Sequence, residues 1–324
     1  MGHGAFKDVF RCEFDDEGKF VAVAKIRGIT KKDQFTKQHL RELKTFAVSA
    51  GHPNVVQLEG LTKEGWLVME YCPSKLKTIQ PKLVTFDAKM SFALGICRGL
   101  SFLHPLGIVH GDLKPDNVLV SADDSVAKLS DFGFSYDVNS SSVSLRVQIG
   151  GTVPYQAPEL ALSQKARASI DPRFKDIYAL GGVLLFLFCG EEPWTGESEE
   201  FIRENRTENR NSKTDFLPED QIQKLLEESK ENREDVENIC KIIKRCFSTD
   251  PLQRGTSRQI MSELEAIMDK VPSPVAFRKE ESLKKLEAAF LEEFFRKAEA
   301  LQSENSDIKS MLSMIITMMQ VQQA

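Results

Sequence analysis

The sequence lacks several features that would assign it a class at once. Its six cysteines (Cys12, Cys72, Cys97, Cys189, Cys240, Cys246) contain no CxxC pair, which speaks against a zinc site and against a disulfide framework. Free thiols in a reducing, cytoplasmic setting are the expectation. No charged-then-apolar pattern opens the chain, so no secretory signal is expected. Long apolar runs are missing too. The longest, Ile177 to Gly190, is closed by Asp176 and Glu191 and falls short of the ~20 residues a spanning helix needs. It reads as a buried core helix, and no membrane span is expected. There is no basic excess either: 43 Lys and Arg face 48 Asp and Glu, a net charge of −5. A nucleic-acid binder would be expected to carry a basic patch. No internal repeat is found.

What is present is the composition of a globular protein. Hydrophobic residues make up 41% and charged residues 28% of 324 positions, enough chain for two domains or one large bilobed fold. The first part reads mainly as strand. Lys19–Ile26 alternates, with Val21, Val23 and Lys25 on one face and Phe20, Ala22 and Ala24 on the other. Residues 33–50 place Leu40, Leu43, Phe46 and Ala47 at helical spacing, and Gly51 stops that helix. Val55–Leu58 and Trp66–Tyr71 are further short strands. From about residue 76 the pattern turns helical, through Phe86–Leu103, Ile177–Cys189, 219–247 and 256–270. Residues 107–160 interrupt it with Gly, Asp, Ser and Pro, and long irregular stretches inside a domain are usually functional. Residues 196–216 are polar and read as a solvated surface loop. VPSP at 271–274 ends the globular part.

The irregular stretch carries acidic motifs in a fixed order. His110-Gly-Asp112-Leu-Lys114-Pro-Asp-Asn117 is followed by Asp131-Phe132-Gly133 and then Ala157-Pro158-Glu159. The residue types suit phosphoryl transfer, which must neutralise a polyphosphate, hold Mg²⁺ and orient a hydroxyl. Asp131 is a hard oxygen ligand and Asn117 offers an amide oxygen for a second ion. Asp112 is the candidate base, and Lys114 can reach the transferring phosphate as a point charge. Lys25 ends an otherwise apolar strand face, an odd place for an ammonium.

In this order and spacing the motifs resemble those of eukaryotic protein kinases, over residues 1 to about 270. The resemblance implies an α+β, bilobed fold: a small β-rich N-lobe at 1–72, a larger helical C-lobe at 73–270, and a helical tail at 276–324. It implies a protein kinase that moves the γ-phosphate of Mg²⁺-bound ATP onto protein substrates. Lys25 would contact the α- and β-phosphates and pair with Glu42. Gly2-His-Gly4-Ala-Phe-Lys7-Asp-Val9 resembles the glycine-rich phosphate loop, with Lys7 in place of the third glycine and no counterpart of the strand that normally precedes it. Leu67–Pro73 resembles the strand-to-hinge segment. There the backbone of Glu70 and Cys72 would bond the adenine edge and Met69 would wall the inner pocket. Val9, Val23 and Leu119 would sandwich the base, as expected of mostly apolar nucleotide pockets.

The same resemblance makes Asp176 and Arg254 structural, Arg254 as partner of Glu159. Lys114-Pro-Asp-Asn117 and Gly151-Thr152-Val-Pro-Tyr155 are of the serine/threonine type, with Thr152 bonding Asp112 and Lys114. Gly111 stands where most of the family has arginine, so a phosphate on the Ser140–Ser144 segment cannot be read through that position. The alternative is a pseudokinase-like scaffold that binds partners through its lobes and tail. In the tail, Ala298, Asn305, Leu312 and Met319 fall at one heptad position and Leu301, Ile308, Ile315 and Gln322 at the other. A coiled coil there would join two copies as a homodimer.

Overall fold

The structure, a computed structural model, describes residues 2–3, 7–13, 20–26, 37–62, 66–139, 150–212, 219–228 and 232–268. Expectations that fall on Gly4, on the Ser140–Ser144 segment and on the coiled-coil tail at 276–324 lie outside the described residues. So does the side chain of Lys25. The described residues up to Cys72 form one compact unit, and those from Pro73 onward a second.

The first unit is an antiparallel sheet in the order β1-β2-β3-β5-β4. Its strands are β1 (Gly2–His3), β2 (Lys7–Glu13), β3 (Phe20–Ile26), β4 (Leu58–Leu61) and β5 (Leu67–Glu70). Strand β3 is the middle one, and Val21, Ala22, Val23 and Ala24 are all buried. Alternation would leave one face open, whereas here consecutive side chains, which point to opposite faces, are all buried. One helix, α1 (Lys37–Val48), buries Glu42, Leu43, Thr45 and Phe46 along one side. Gly51 follows its end with φ +83.

The strand expected at Val55–Leu58 forms only from Leu58. The preceding residues are held as a turn by Gln57. Its Oε1 accepts from Gly51 N at 2.6 Å, and its Nε2 donates to the carbonyls of His52 and Val55 at 3.0 and 2.6 Å. A side chain that bonds its own neighbourhood competes with the sheet ladder.

The second unit is built on two apolar helices, α3 (Phe86–Leu103) and α5 (Phe174–Cys189); the short α2 (Leu76–Ile79) precedes them and α4 (Gln164–Arg167) lies between them. Thr85 caps α3 by accepting from Ala88 N at 3.2 Å, which satisfies one of the open amides of the first turn. Nearly every residue of α5 is buried, and Gly190, with φ +80, ends it. The remaining helices are α6 (Glu199–Ser212), α7 (Glu219–Glu228), α8 (Arg233–Cys246) and α9 (Ser257–Met268). Helix α3 packs on α9, and α5 on α8. Between α3 and α5 the chain makes short pairs, β7 (Ile108–Val109) with β10 (Tyr136–Asp137) and β8 (Val118–Val120) with β9 (Ala127–Leu129); β6 (Ser74–Lys75), ahead of α2, joins the second pair in the order β6-β8-β9.

A second expectation is corrected. Residues 196–216 are not a surface loop throughout, because Glu199–Ser212 is helical. Ser198 Oγ accepts from Phe201 N at 3.2 Å, and Glu199 and Glu200 sit in the first turn, where the helix dipole favours carboxylates. Ile202 and Arg206, four residues apart, share one buried side. Arg206 reaches the carbonyl of Val153.

Candidate active site

The His110–Asn117 loop hangs between β7 and β8, and a single buried carboxylate fixes its backbone. Asp176, in the first turn of α5, accepts from His110 N at 2.7 Å and from Gly111 N at 2.9 Å. It also accepts from the ring of His104 at 3.0 Å. Burial by itself would raise the Asp176 carboxyl. The bond from His104 and the Lys175 ammonium outweigh it and hold the group below the ordinary range. Asp176 thus stays an acceptor for the loop amides.

His110 is fully buried, and its tautomer follows from its partners. Ser130 O can only accept, so Nε2, at 3.0 Å from it, carries the proton. Nδ1 then accepts from Asp112 N at 3.3 Å. Burial lowers the imidazole below its usual value despite Asp176, Asp112 and Asp131 nearby, so the ring is neutral. Its ring lies against Phe132, with centroids 5.3 Å apart.

Four donors converge on the carboxylate of Asp112. Oδ1 accepts from Thr152 N at 2.7 Å and Thr152 Oγ1 at 2.8 Å. Oδ2 lies 3.2 Å from Lys114 Nζ and 3.1 Å from Asn117 Nδ2. Lys114 also donates to Thr152 Oγ1 at 2.5 Å, and Asn117 Nδ2 to Asp112 O at 2.7 Å. The sequence reading named all four residues, and the structure brings them together. Asn117 spends its amide NH₂ on Asp112, which leaves its amide oxygen as the group able to hold a cation. Ser130 N and Oγ both donate to Asn117 O at 2.9 Å, which brings Asp131, the next residue, beside it. Asp131 adopts φ 61 and ψ 67, a left-handed conformation that Asp tolerates better than most side chains. Among the described residues no three His, Cys, Asp or Glu side chains gather as a metal cage.

Two glycines make the loop possible. Gly111 has φ +83, and a Cβ there would lie 2.5 Å from the carbonyl oxygen of Phe134 and 3.4 Å from Lys175 Nζ. Gly151 has φ +115, and a Cβ there would meet Gly111 O at 2.8 Å. A side chain at 111 would push the loop from the Phe134 backbone, and one at 151 would force apart the segments that carry Asp112 and Thr152.

The remaining residues of the reading belong to the first unit, apart from Leu119, Arg254 and Glu159. Gly2 is in β1, opposite Val9 of β2. Val23 faces Phe10 and Val68 across the sheet, and Lys25 lies opposite Asp8. Glu42 is buried in α1, and Met69 and Cys72 are buried at and just beyond the end of β5. The Glu70 N–H is bonded to Gln57 O at 3.0 Å, and its Oε1 accepts from Gln57 N at 2.8 Å. Leu119 is half-buried in β8 of the second unit. Below the loop, Arg254 and Glu159 form the expected pair. Two parallel bonds of 2.7 Å join them, and both are buried.

Sequence reading missed Ser130 and Lys175. For Lys175 a signal was available: a lysine beside an aspartate at the start of an otherwise apolar helix.

Residues 1–264 match the protein kinase domain, and the chain belongs to that family, whose members use ATP with a divalent metal ion. It is 26% identical over 268 residues to a membrane-associated tyrosine- and threonine-specific cdc2-inhibitory kinase of Drosophila melanogaster, covering 81% of this chain and 45% of that one. It is 33% identical over 202 residues to mitogen-activated protein kinase kinase kinase 12 of Rattus norvegicus, covering 60% and 20%. It is 24% identical over 274 residues to a probable serine/threonine-protein kinase of Clostridium perfringens, covering 82% and 37%. The chain therefore spans less than half the length of these relatives. Among the described residues no helix is long and apolar enough to cross a membrane.

Proposed function

We propose that the chain transfers the γ-phosphate of ATP to serine and threonine hydroxyls of protein substrates. The observation that carries this reading is the convergence of Thr152, Lys114 and Asn117 on Asp112. In the proposed mechanism Asp112 accepts the proton of the substrate hydroxyl. Lys114 is a point charge on a flexible stem; on moving from Asp112 Oδ2 to the transferring phosphoryl group it frees that oxygen for the proton and neutralises developing charge. Thr152 keeps Asp112 oriented through Oδ1 while this happens.

Asn117 and Asp131 would hold the divalent ion, and Mg²⁺ fits a pair of hard oxygen donors completed by phosphate oxygens and water. When bound, such an ion would neutralise phosphate charge. Lys25 with Glu42, the Gly2–Gly4 segment, Val9, Val23, Met69, Glu70, Cys72 and Leu119 are assigned to the nucleotide by the family's motif pattern. A cytoplasmic setting belongs to the same proposal, supported by six cysteines without a disulfide.

One relative is tyrosine- and threonine-specific by name, so the acceptor is the property to measure. After transfer of labelled γ-phosphate to a mixed protein substrate and acid hydrolysis, label is expected on phosphoserine and phosphothreonine. Label confined to phosphotyrosine would overturn the Ser/Thr assignment.

A further inference from the structure

Lys175 is a buried ammonium beside the catalytic loop that the roles above leave unused. It lies in the first turn of α5 and is only 5% exposed. The carboxylates whose charges act on it are Asp176 on its own helix, Asp112 on the loop and Glu159 on the 158–161 turn. Arg167 of α4 opposes them. Its Nζ stands 4.9 Å from the ring centroid of Tyr136 in β10, and it lines a cavity of about 270 Å³ shared with Tyr136, Asp137 and Arg167. His110, the other titratable group close to this cluster, is neutral by its hydrogen bonds. A Cβ at residue 111 would come within 3.4 Å of the Lys175 ammonium. The two positions are therefore complementary, 111 giving up its side chain and 175 occupying the space with a cation.

Resting on the phosphotransfer reading above, we infer that Lys175 is a positioning residue of the site: its ammonium sits beside Gly111 and, by attracting the Asp112 and Asp176 carboxylates together, holds the catalytic loop in register on α5. Asp176 bonds the loop amides, and Asp112 bonds the groups around the substrate. A cation that attracts both carboxylates limits their mutual repulsion. Gly111 is what leaves room for it.

Burial lowers the Lys175 ammonium to about 8, against the pull of Asp176, Asp112 and Glu159 and with the help of Arg167. As pH rises through that value in the folded protein, the cation is lost and the loop loses its hold. The unfolded chain keeps the proton to higher pH, so this titration by itself favours the fold over the same interval. A falling rate there is not a sign of unfolding.

The test is the pH profile of kcat for phosphate transfer to a generic protein substrate, for wild type, Lys175→Met and Lys175→Arg. Wild type is expected to lose rate as pH climbs past about 8. Lys175→Met, which keeps the apolar stem without the charge, should be slower by about 10- to 100-fold at neutral pH, the scale of a mispositioned catalytic group. Lys175→Arg, for which the adjoining cavity has room, should recover most of that loss. It should also lose the alkaline fall, because a guanidinium does not titrate there. A Met variant within twofold of wild type, or an Arg variant that keeps the alkaline fall, overturns the inference. If Lys175→Met does not fold, the Arg profile alone decides. A wild type as inactive as Asp131→Asn would instead remove the phosphotransfer reading, and this inference with it.

Discussion

Asp112→Asn is expected to lower kcat by about 10²- to 10⁴-fold, the contribution of a positioned general base, with ATP affinity close to that of wild type. The carboxylate is the meeting point of donors from Thr152, Lys114 and Asn117. An amide has one acceptor oxygen and one NH₂ in place of two acceptors. In one orientation its NH₂ meets the Thr152 N–H; in the other it meets Lys114 and Asn117. Either way a donor faces a donor, and no group remains to take the proton of the substrate hydroxyl. Single-turnover kinetics at saturating ATP measure the loss. A residual rate within about tenfold of wild type would mean that Asp112 only orients its neighbours.

The largest loss of stability should come from Arg254→Met. The guanidinium is fully buried and bonds Glu159 twice, Ser248 O at 2.8 Å and Phe174 O at 3.0 Å. It also lies over Tyr178, 5.1 Å from the ring centroid. Removing it leaves the buried Glu159 carboxylate and two carbonyls without their donor. Breaking one side of a buried pair costs about 3–5 kcal/mol, a large part of a domain's stability of about 5–15 kcal/mol. Urea denaturation of the two proteins gives the difference. Arg254→Met combined with Glu159→Leu should recover much of it, since an apolar pair strands no charge. A loss below about 1 kcal/mol for the single variant would place Arg254 among weakly coupled surface pairs, which its burial contradicts.

Much of this arrangement was legible in the chain, and the parts that were not share a cause. Helix α3 could be bounded because its apolar period and the Thr85 cap are both local. The acidic motifs could be placed because their order and spacing are linear features. Helix α6 was hidden because its buried side consists of Ile202 and Arg206, one of them a cation that hydropathy assigns to solvent. Val55–Leu58 reads as strand by composition, whereas Gln57 spends its amide on the backbone around it. The Lys175–Gly111 match was invisible for a stronger reason. Those positions are far apart in sequence and meet only when α5 docks under the loop through Asp176. Nothing in the period or propensity of either segment announces that meeting.

The central claim is phosphoryl transfer by the Asp112 loop with a divalent ion held at Asn117 and Asp131. Its most direct test is the rate of label transfer from γ-labelled ATP with Mg²⁺ to a generic protein substrate, wild type against Asp131→Asn. A wild type that transfers label, and a variant that transfers almost none, is the expected result. Equal label in both would contradict the claim and leave a protein that uses the same fold to bind partners without chemistry.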